Sequence, residues 1–444
     1  MKKEKIMTFP ELSEWVINRT LKAGASECKV SLSKSRIVEI NYREHKPDVL
    51  REATTRNLDL EILFNRKYAR QSTPDFRMST LDTFINDLIE NAGIMEEDPY
   101  RTLPDPELYS GRSTANLDLT DPGYDKLSAE ERHEMAMKAE NACFEYGGDK
   151  IVSVEAAEYD AKSEEYIRTS NGFEGFTEGT GFQVGASMYA QDSGDRRPTG
   201  YAYAYGTHKG DLPSPESIGK EAASRTLDQF GAKKVATMTV PVIVENRIAE
   251  TILGFLLDPL SGRSIQQKRS FLADKKGQKI GSSLFTVSED PFIPRGIGSK
   301  LYDNDGFPTR KRDLFKEGVL NDFMIDWYYS RKLDCTPTSG SITNILVSPG
   351  SQDLQSLIKD LPKCLLITGF IGGNSNSTTG DFSIGISGKL YEKGQFRQNV
   401  AEMNIADNHL NFWNKLVAVG NDTWTYSNIR IPSLVFDKIV VSGV

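Results

Sequence analysis

Ile151-Val-Ser-Val-Glu-Ala-Ala-Glu-Tyr-Asp-Ala-Lys-Ser-Glu-Glu-Tyr-Ile-Arg-Thr-Ser-Asn171-Gly172-Phe173 opens the stretch, Ile151 to Tyr205, that decides the fold. Asn171-Gly172 is a hairpin turn signal, and the flanking segments read as antiparallel strands. Tyr201, Tyr203 and Tyr205 alternate, so they share one sheet face. Upstream, Ser128-Ala-Glu-Glu131 fits a capping box and opens a helix running to about Tyr146. Downstream, Ser214 to Phe230 reads as another helix, closed by Gly231. Strands that pair antiparallel between helices make this an α+β protein rather than a wound parallel one.

The same reading extends in both directions. Leu12, Trp15, Val16, Ile17 and Leu21 recur at helical spacing, and Gly24 ends that run. Cys28 to Tyr42 predicts one or two strands, Asn57 to Tyr68 another, and Met78 to Ile94 an amphipathic helix. Residues 98–125 form a Pro/Asp/Gly/Ser connector, long enough to wander over the surface. A boundary is expected within Ala232 to Thr239, giving an N-terminal helix/sheet domain at 1–235 and a β-rich C-terminal domain at 236–444. In the second domain Val240 to Val244 reads as a buried strand, and Ile248 to Leu257 and Leu354 to Leu361 as short helices. Asp303 to Gly306, Glu317-Gly318 and Lys393-Gly394 read as hairpin turns.

Composition removes several function classes. The 444 residues carry 54 Lys plus Arg against 62 Asp plus Glu, a net charge of −8, which disfavours direct nucleic-acid binding. No stretch reaches the roughly 18 apolar residues of a membrane span. The start is basic but runs into Phe9-Pro10-Glu11-Leu12 with no apolar region of a signal peptide, so a cytoplasmic location is expected. Cys28, Cys143, Cys335 and Cys364 are scattered, as reduced cysteines are in such a compartment.

Five constellations offer chemistry, each beside a plainer reading. His133-Glu134 begins like a zinc-binding HExxH helix, but Ala136-Met137-Lys138 supplies no second histidine, which favours a solvated helix face. Gly179-Thr-Gly181-Phe-Gln-Val-Gly185 lacks the third glycine of a dinucleotide loop and reads as hairpin glycines. Thr309-Arg310-Lys311-Arg312 is either a charged strand edge or a contact for a peptide carboxylate or polyanion. The tyrosine stripe suits sheet packing better than base stacking. The run from Gly369 to Ser383 is rich in Gly, Asn, Ser and Thr; a backbone-lined binding loop and a turn-rich connector fit it equally. No Ser-His-Asp set follows from spacing, and no GxSxG elbow is present.

The second half resembles the PmbA/TldE branch of the TldD/PmbA family, known also as modulators of DNA gyrase. Four blocks carry the resemblance: Ile218 to Val235 running into Pro241-Val-Ile-Val244; Ser261-Gly262, Lys268 to Leu272 and Val287 to Pro291; Asp303 to Gly306, Thr309 to Asp313 and Gly318-Val-Leu320; and Thr379 to Ser383, Glu392-Lys-Gly394, Ile405-Ala406, Val419 to Asp422 and Pro432-Ser-Leu434. They span about half the chain in family order. The first half matches weakly, and Asn57-Leu-Asp-Leu-Glu61 lacks the glycine of the relatives' strand. The resemblance implies a split role. TldD-type members resemble zinc proteases with a HExxxH helix, whereas PmbA/TldE-type members lack the motif and pair with a TldD-type subunit. Together they trim or degrade unfolded or leader-bearing peptides. Here the corresponding window, Thr251 to Leu260, has no His and no Glu at the needed spacing. Neither Cys335 nor Cys364 maps to the cysteine that completes the TldD-type site.

The expectation is therefore a substrate-binding subunit of a metalloprotease complex, with no catalytic residue and no cofactor of its own, zinc belonging to the TldD-type partner. Its partners would be that subunit in a heterodimer, or a second copy, and an unfolded peptide added as a strand to a sheet edge. Arg310, Arg312, Gly372, Gly373, Asn374, Gly380, Asp381 and Ser383 are the candidate peptide contacts. Two alternatives stand beside it. One is a metallopeptidase whose metal sits on dispersed residues such as His208, His409 and an Asp or Glu. The other is a non-enzymatic modulator that touches DNA gyrase by protein contact.

Overall fold

The computed structural model describes residues 7–443; residues 1–6, the basic start of the N-terminal stretch, lie outside them. Helix and strand make up 27% and 39%, in a two-part α+β architecture with a β-rich C-terminal region. The first part contains α1 (Phe9–Lys22), β1 (Glu27–Arg43), β2 (Lys46–Phe64), β3 (Lys67–Thr73), α2 (Met78–Ile94), α3 (Ala129–Gly147), β4 (Ile151–Thr169), β5 (Glu174–Ala190), β6 (Thr199–Gly206) and α4 (Pro215–Leu227). The six strands form one antiparallel sheet in the order β3-β2-β1-β4-β5-β6. Alternate residues such as Val30, Leu32, Val154, Val184 and Ala202 point to one face and are buried beneath the four helices.

The helices start where their caps dictate. Thr8 and Glu11 close a capping box on α1, as Ser128 and Glu131 do on α3. Two hairpins escape the sequence signals. The strand expected at 57–68 in fact begins at Lys46, and it ends at Asn65-Arg66, where both residues have positive φ (50° and 63°). Glu44-His45 makes the same turn with φ of 52° and 61°. Neither turn contains glycine, and Lys46 to Arg56 is exposed on both faces, so no alternation marks it.

The second part contains β7 (Met238–Val244), α5 (Asn246–Leu257), α6 (Gly262–Gln266), β8 (Val287–Glu289), β9 (Arg312–Lys316), β10 (Val319–Leu320), α7 (Trp327–Leu333), β11 (Ile345–Val347), α8 (Leu354–Asp360), β12 (Lys363–Ser375), β13 (Asp381–Glu392), β14 (Gln395–Asn408), α9 (His409–Phe412), β15 (Leu416–Val419), β16 (Ile429–Arg430) and β17 (Leu434–Ser442). One sheet runs β14-β13-β12-β7-β17-β15 and is drawn towards a barrel by a β14–β17 pairing at Asn404–Ser442 and Ile405–Val441. A second runs β10-β9-β8-β11-β16. Between them lies the largest apolar core, from Val242 and Leu253 to Phe315, Trp413 and Phe436. Glu317-Gly318 and Lys393-Gly394 are the expected hairpin turns. Asp303 to Gly306 turns as well, but inside an irregular stretch held by the isolated bridge Tyr302–Pro308 and the bonds from the Asp303 and Thr309 amides to Phe307 and Leu301.

The connector does not wander. Asp98 accepts from the Tyr328 hydroxyl (2.7 Å), Thr102 from the Trp327 indole (3.0 Å), and Asp118 pairs with Arg295 (2.7 Å). It straps the first part to the second.

One ionisable group inside the first sheet sets a pH dependence. Asp160 and Glu158 share the helix-covered face of β4. Arg132 from α3 grips Asp160, while both Glu158 oxygens have no hydrogen-bond partner. Burial, and then the Asp160 charge, push the Glu158 carboxyl up to about 9, so it is neutral at pH 7. A raised folded pKa means that stability present below the unfolded value near 4.5 is lost as pH rises towards 9. Glu158→Gln removes that titration. Denaturant unfolding should show the variant gaining a few kcal/mol over the parent between pH 5 and 9, with no gain at pH 4.

Candidate functional site

The site begins where a short strand ends. β12 runs parallel to β7 through Leu365, Leu366 and Ile367 only, opposite Val242, Ile243 and Val244. At Val244 β7 gives way to α5, and the Glu245 amide makes the last bond, to the Ile367 carbonyl (3.1 Å). From Thr368 onward β12 has β13 on one side and, among the described residues, no strand on the other. Gly372 and Gly373 then bulge the strand, with φ of 63° and 122°. A Cβ on Gly373 would come within 2.7 Å of Ile384, so the bulge is built for glycine. The run Gly369 to Ser383 is therefore neither a loop nor a plain connector: it is a bulged strand end and the tight turn that returns it.

Two clefts flank this strand. One, of about 440 Å³, lies between the two parts and touches four consecutive residues, Thr368 to Ile371. Ser387, Lys389 and Tyr391 of β13 line it as well, and Glu245, Arg247 and Ile248 stand beside β12 where β7 ends, so the cleft runs across that sheet face to the unpaired side of β12. Its far wall is β6, the edge strand of the first sheet, with Tyr201 and Tyr203 stacked at 6.3 Å. Ile371, Tyr201 and Tyr203 are exposed. Arg247 lies over Trp424 at 4.0 Å, and an ion-pair cluster of Arg225, Arg247, Glu221 and Glu245 seals the base.

The other cleft, about 880 Å³, lies beyond the bulge. Asn374, Asp381 and Ser383 line it, so the structure brings these three candidates together. The Asn408 amide and the Thr379 hydroxyl hold the Asp381 carboxyl below the usual carboxylate range. Opposite stand Asp258, Ser261, Arg263, Ser264 and Arg269. Desolvation raises the Asp258 carboxyl. The walls are tied by the Phe271 amide, which donates to the Ser377 carbonyl (2.9 Å). Gly380 (φ 83°) closes the turn beside Phe271.

Ser375 and His409 look like a nucleophile and base, with Ser375 Oγ 3.0 Å from His409 Nε2. They cannot act as one. The Trp413 indole, which can only donate, points its Nε1 at His409 Nδ1 (3.3 Å). The neutral ring therefore carries its proton on Nε2 and donates it to Ser375. Burial among Phe271, Phe382 and Trp413 pushes the His409 pKa down to about 4.

Other candidates fall elsewhere. Arg312 is buried and saturated: it pairs with Glu289 (2.6 Å) and donates to the carbonyls of Phe323, Thr338 and Ser339. That closed arrangement leaves it nothing to offer a peptide. Arg310 is exposed and lines a separate pocket with Asp313 and Asp322. His208 is buried beside Thr207 and Asp118. Among the described residues no group of three or more His, Cys, Asp or Glu side chains could hold a metal ion, so His208 and His409 are not joined in one. His133 meets the Tyr42 hydroxyl (3.0 Å), and Glu134 pairs along its helix with Lys138 (2.8 Å). Arg263 and Arg269 escaped the sequence reading because nothing in their spacing marks a site. It is the bond from the Phe271 amide to the Ser377 carbonyl that sets their segment against the β12–β13 turn.

Residues 122–230 match the PmbA/TldA metallopeptidase central domain and residues 237–443 the PmbA/TldA metallopeptidase C-terminal domain. Metalloprotease PmbA of Escherichia coli O157:H7 is 27% identical over 429 residues, 95% of this chain and 94% of that protein. A crystal structure of a proposed modulator of DNA gyrase from Bacteroides thetaiotaomicron is similar at TM-score 0.95 and 34% identity, over 99% of this chain and all of that one. TldE from Thermococcus kodakarensis shares the fold at TM-score 0.85 and 19% identity, over 97% of this chain and all of that one. No helix among the described residues is long and apolar enough to cross a membrane.

Two outcomes follow from the site's charges. Arg312→Ala strands Glu289 in the core and should cost about 3–5 kcal/mol in denaturant unfolding, whereas Arg310→Ala should stay within about 0.5 kcal/mol. His409, whose folded pKa lies below the unfolded 6.5, contributes stability above pH 6.5 that is lost as pH falls towards 4. Unfolding measured across that window should lose on the order of 3 kcal/mol, a slope that His409→Gln flattens.

Proposed function

Because this chain belongs to the PmbA/TldA metallopeptidase family, we propose that it is the substrate-holding, non-hydrolytic subunit of a TldD/TldE-type protease complex in the cytoplasm. The family name implies a metal, and the donor set here does not fit one. The window where the resemblance puts the zinc helix, Thr251 to Leu260, offers a single carboxylate, Asp258, and no imidazole. Ile252, Leu253, Leu256 and Leu257 of α5 are spent on the core. The one acidic side chain inside α5, Glu250, accepts from the Ser427 hydroxyl (2.9 Å). A hydrolytic zinc needs about three protein ligands and an open water position. No hydrolytic step is assigned to these residues.

What the chain offers instead is a place for an extended peptide. The observation that carries this reading is the edge of β12 left unpaired at Thr368 to Ile371, beside a cleft that joins the aromatic wall of Tyr201 and Tyr203 to a charged base. Main-chain hydrogen bonds along a strand edge ignore side-chain identity, which suits a subunit that presents unfolded or leader-bearing peptides to a partner's metal centre. Gly372 and Gly373 end the edge. Asn374, Asp381 and Ser383 lie where the peptide would continue. A second reading, contact with DNA gyrase, is favoured by the name of the Bacteroides relative; binding to gyrase with no TldD-type chain present would support it.

The test is reconstitution. The purified chain alone should hold no tightly bound zinc by elemental analysis and leave an unfolded peptide intact. Adding a zinc-loaded TldD-type chain should produce cleavage. Ile371→Lys, which sets a charge on the strand edge, should raise the KM of the pair several-fold without changing the melting temperature. About one zinc per chain with cleavage by this chain alone would overturn the assignment.

A further inference from the structure

The wider cleft holds two guanidinium groups with nothing to bind. Arg263 and Arg269 are exposed, and among the described residues their side chains make no hydrogen bond, ion pair or ring contact. This sets them apart from Arg132, Arg225 and Arg312, which are closed by carboxylates. The two acids in the same cleft do not neutralise them. Asp381 is held by Asn408 and Thr379, and Asp258 pairs with neither arginine. A chain of net charge −8 thus keeps two unpaired cations in one concave site beside a strand end.

We propose that this cleft reads a carboxylate on the bound peptide, an acidic side chain or the peptide's own C-terminus, through Arg263 and Arg269. The proposal rests on the strand-addition reading above. Guanidinium is the group best matched to a carboxylate, since its fork can donate two parallel N–H bonds. The hydroxyls of Ser264 and Thr378 and the Asn374 amide, all in the cleft lining, suit the remaining oxygen lone pairs. A strand laid on Thr368 to Ile371 continues past the bulge into this cleft. At about 3.3 Å per residue, Thr368 and Asn374 are separated by about 20 Å of strand, less what the bulge takes up. The favoured peptide therefore carries its carboxylate about five or six residues from an apolar side chain seated at the Thr368 end of the edge, against Tyr201 and Tyr203.

Fluorescence anisotropy on the full chain tests this with four probes, and with a lysine-for-glutamate version of the first for the charge-reversed variant. Three are acetylated octapeptides with one leucine near the labelled end: one with glutamate six residues on and an amidated C-terminus, one with glutamine there and an amidated C-terminus, one with glutamine and a free C-terminus. The fourth is an oligothymidylate. One or both carboxylate peptides should bind at least about tenfold tighter than the amidated glutamine peptide, the stronger of the two identifying the source. Arg263→Ala and Arg269→Ala should each erase most of that preference while leaving the glutamine peptide's affinity unchanged. Arg269→Glu should turn the preference towards a lysine-bearing peptide. Equal affinity for all three peptides, or a preference that survives both alanine variants, overturns the carboxylate subsite but leaves strand addition standing. Failure of every peptide to bind overturns both. An oligothymidylate that binds tighter than the peptides and depends on the same arginines overturns the peptide assignment.

Discussion

The second half of this protein is organised by the length of one central strand. β7 has seven residues, and it must serve β12 on one side and β17 on the other. Its apolar run from Val240 to Val244 buries on both faces, the pattern of a strand covered above and below. α5, which follows directly, drives Ile252, Leu253, Leu256 and Leu257 into the same core, so the chain leaves the sheet at Val244. β12 is nearly twice as long and outlives its neighbour. The open edge and the two clefts beside it follow from that mismatch, without any motif that announces them.

That origin explains what the sequence could disclose. Elements with strong local signals were legible: the capped helices at Thr8 and Ser128, the Asn171-Gly172 hairpin, and the buried strand at Val240 to Val244. Elements without them were not. Lys46 to Arg56 is solvated on both faces and carries no alternation, and the turns at Glu44-His45 and Asn65-Arg66 use residues for which positive φ is uncommon. The irregular stretch around Asp303 is held by tertiary contacts: a Cβ at Gly306 would run into Phe173, and Lys29 donates to the Asn304 carbonyl. For the site, unusual composition between Gly369 and Ser383 pointed to the right strand, yet it could not show that Asp258, Arg263 and Arg269 face it across a cleft. The adjacent arginines at 310 and 312 looked alike and differ completely, because Arg312 lies on β9 against Glu289 of β8.

Charge in this molecule divides into closed and open sets. Glu289 spends one oxygen on Arg312 and the other on the Thr343 amide. Arg132 and Asp160 answer one another beside the first sheet, and the four charges under the inter-part cleft form an alternating chain, Glu245–Arg225–Glu221–Arg247, with no cation in excess. Such sets fix how elements sit and have little left for a ligand. The apparent Ser375–His409 pair belongs with them, its proton direction settled by the indole behind it. Against this background an unpaired charge in a concavity is informative, since a surface charge on a convex face is cheaply solvated and one in a cleft loses part of its water.

The double-glycine bulge on β12 has a consequence for the free protein. An unpaired strand edge is a template for any other chain, and a second copy of the same edge is always at hand. The β12–β13 register shifts at Thr368 and again at Gly372-Gly373, so a straight intruder finds only the short run Gly369 to Ile371 between two breaks. Steric-zipper segments need about six or seven regular residues. The edge is thus long enough for a passing peptide and too short to seed a stack of copies, which lets a protein keep an open β-strand in solution without polymerising along it.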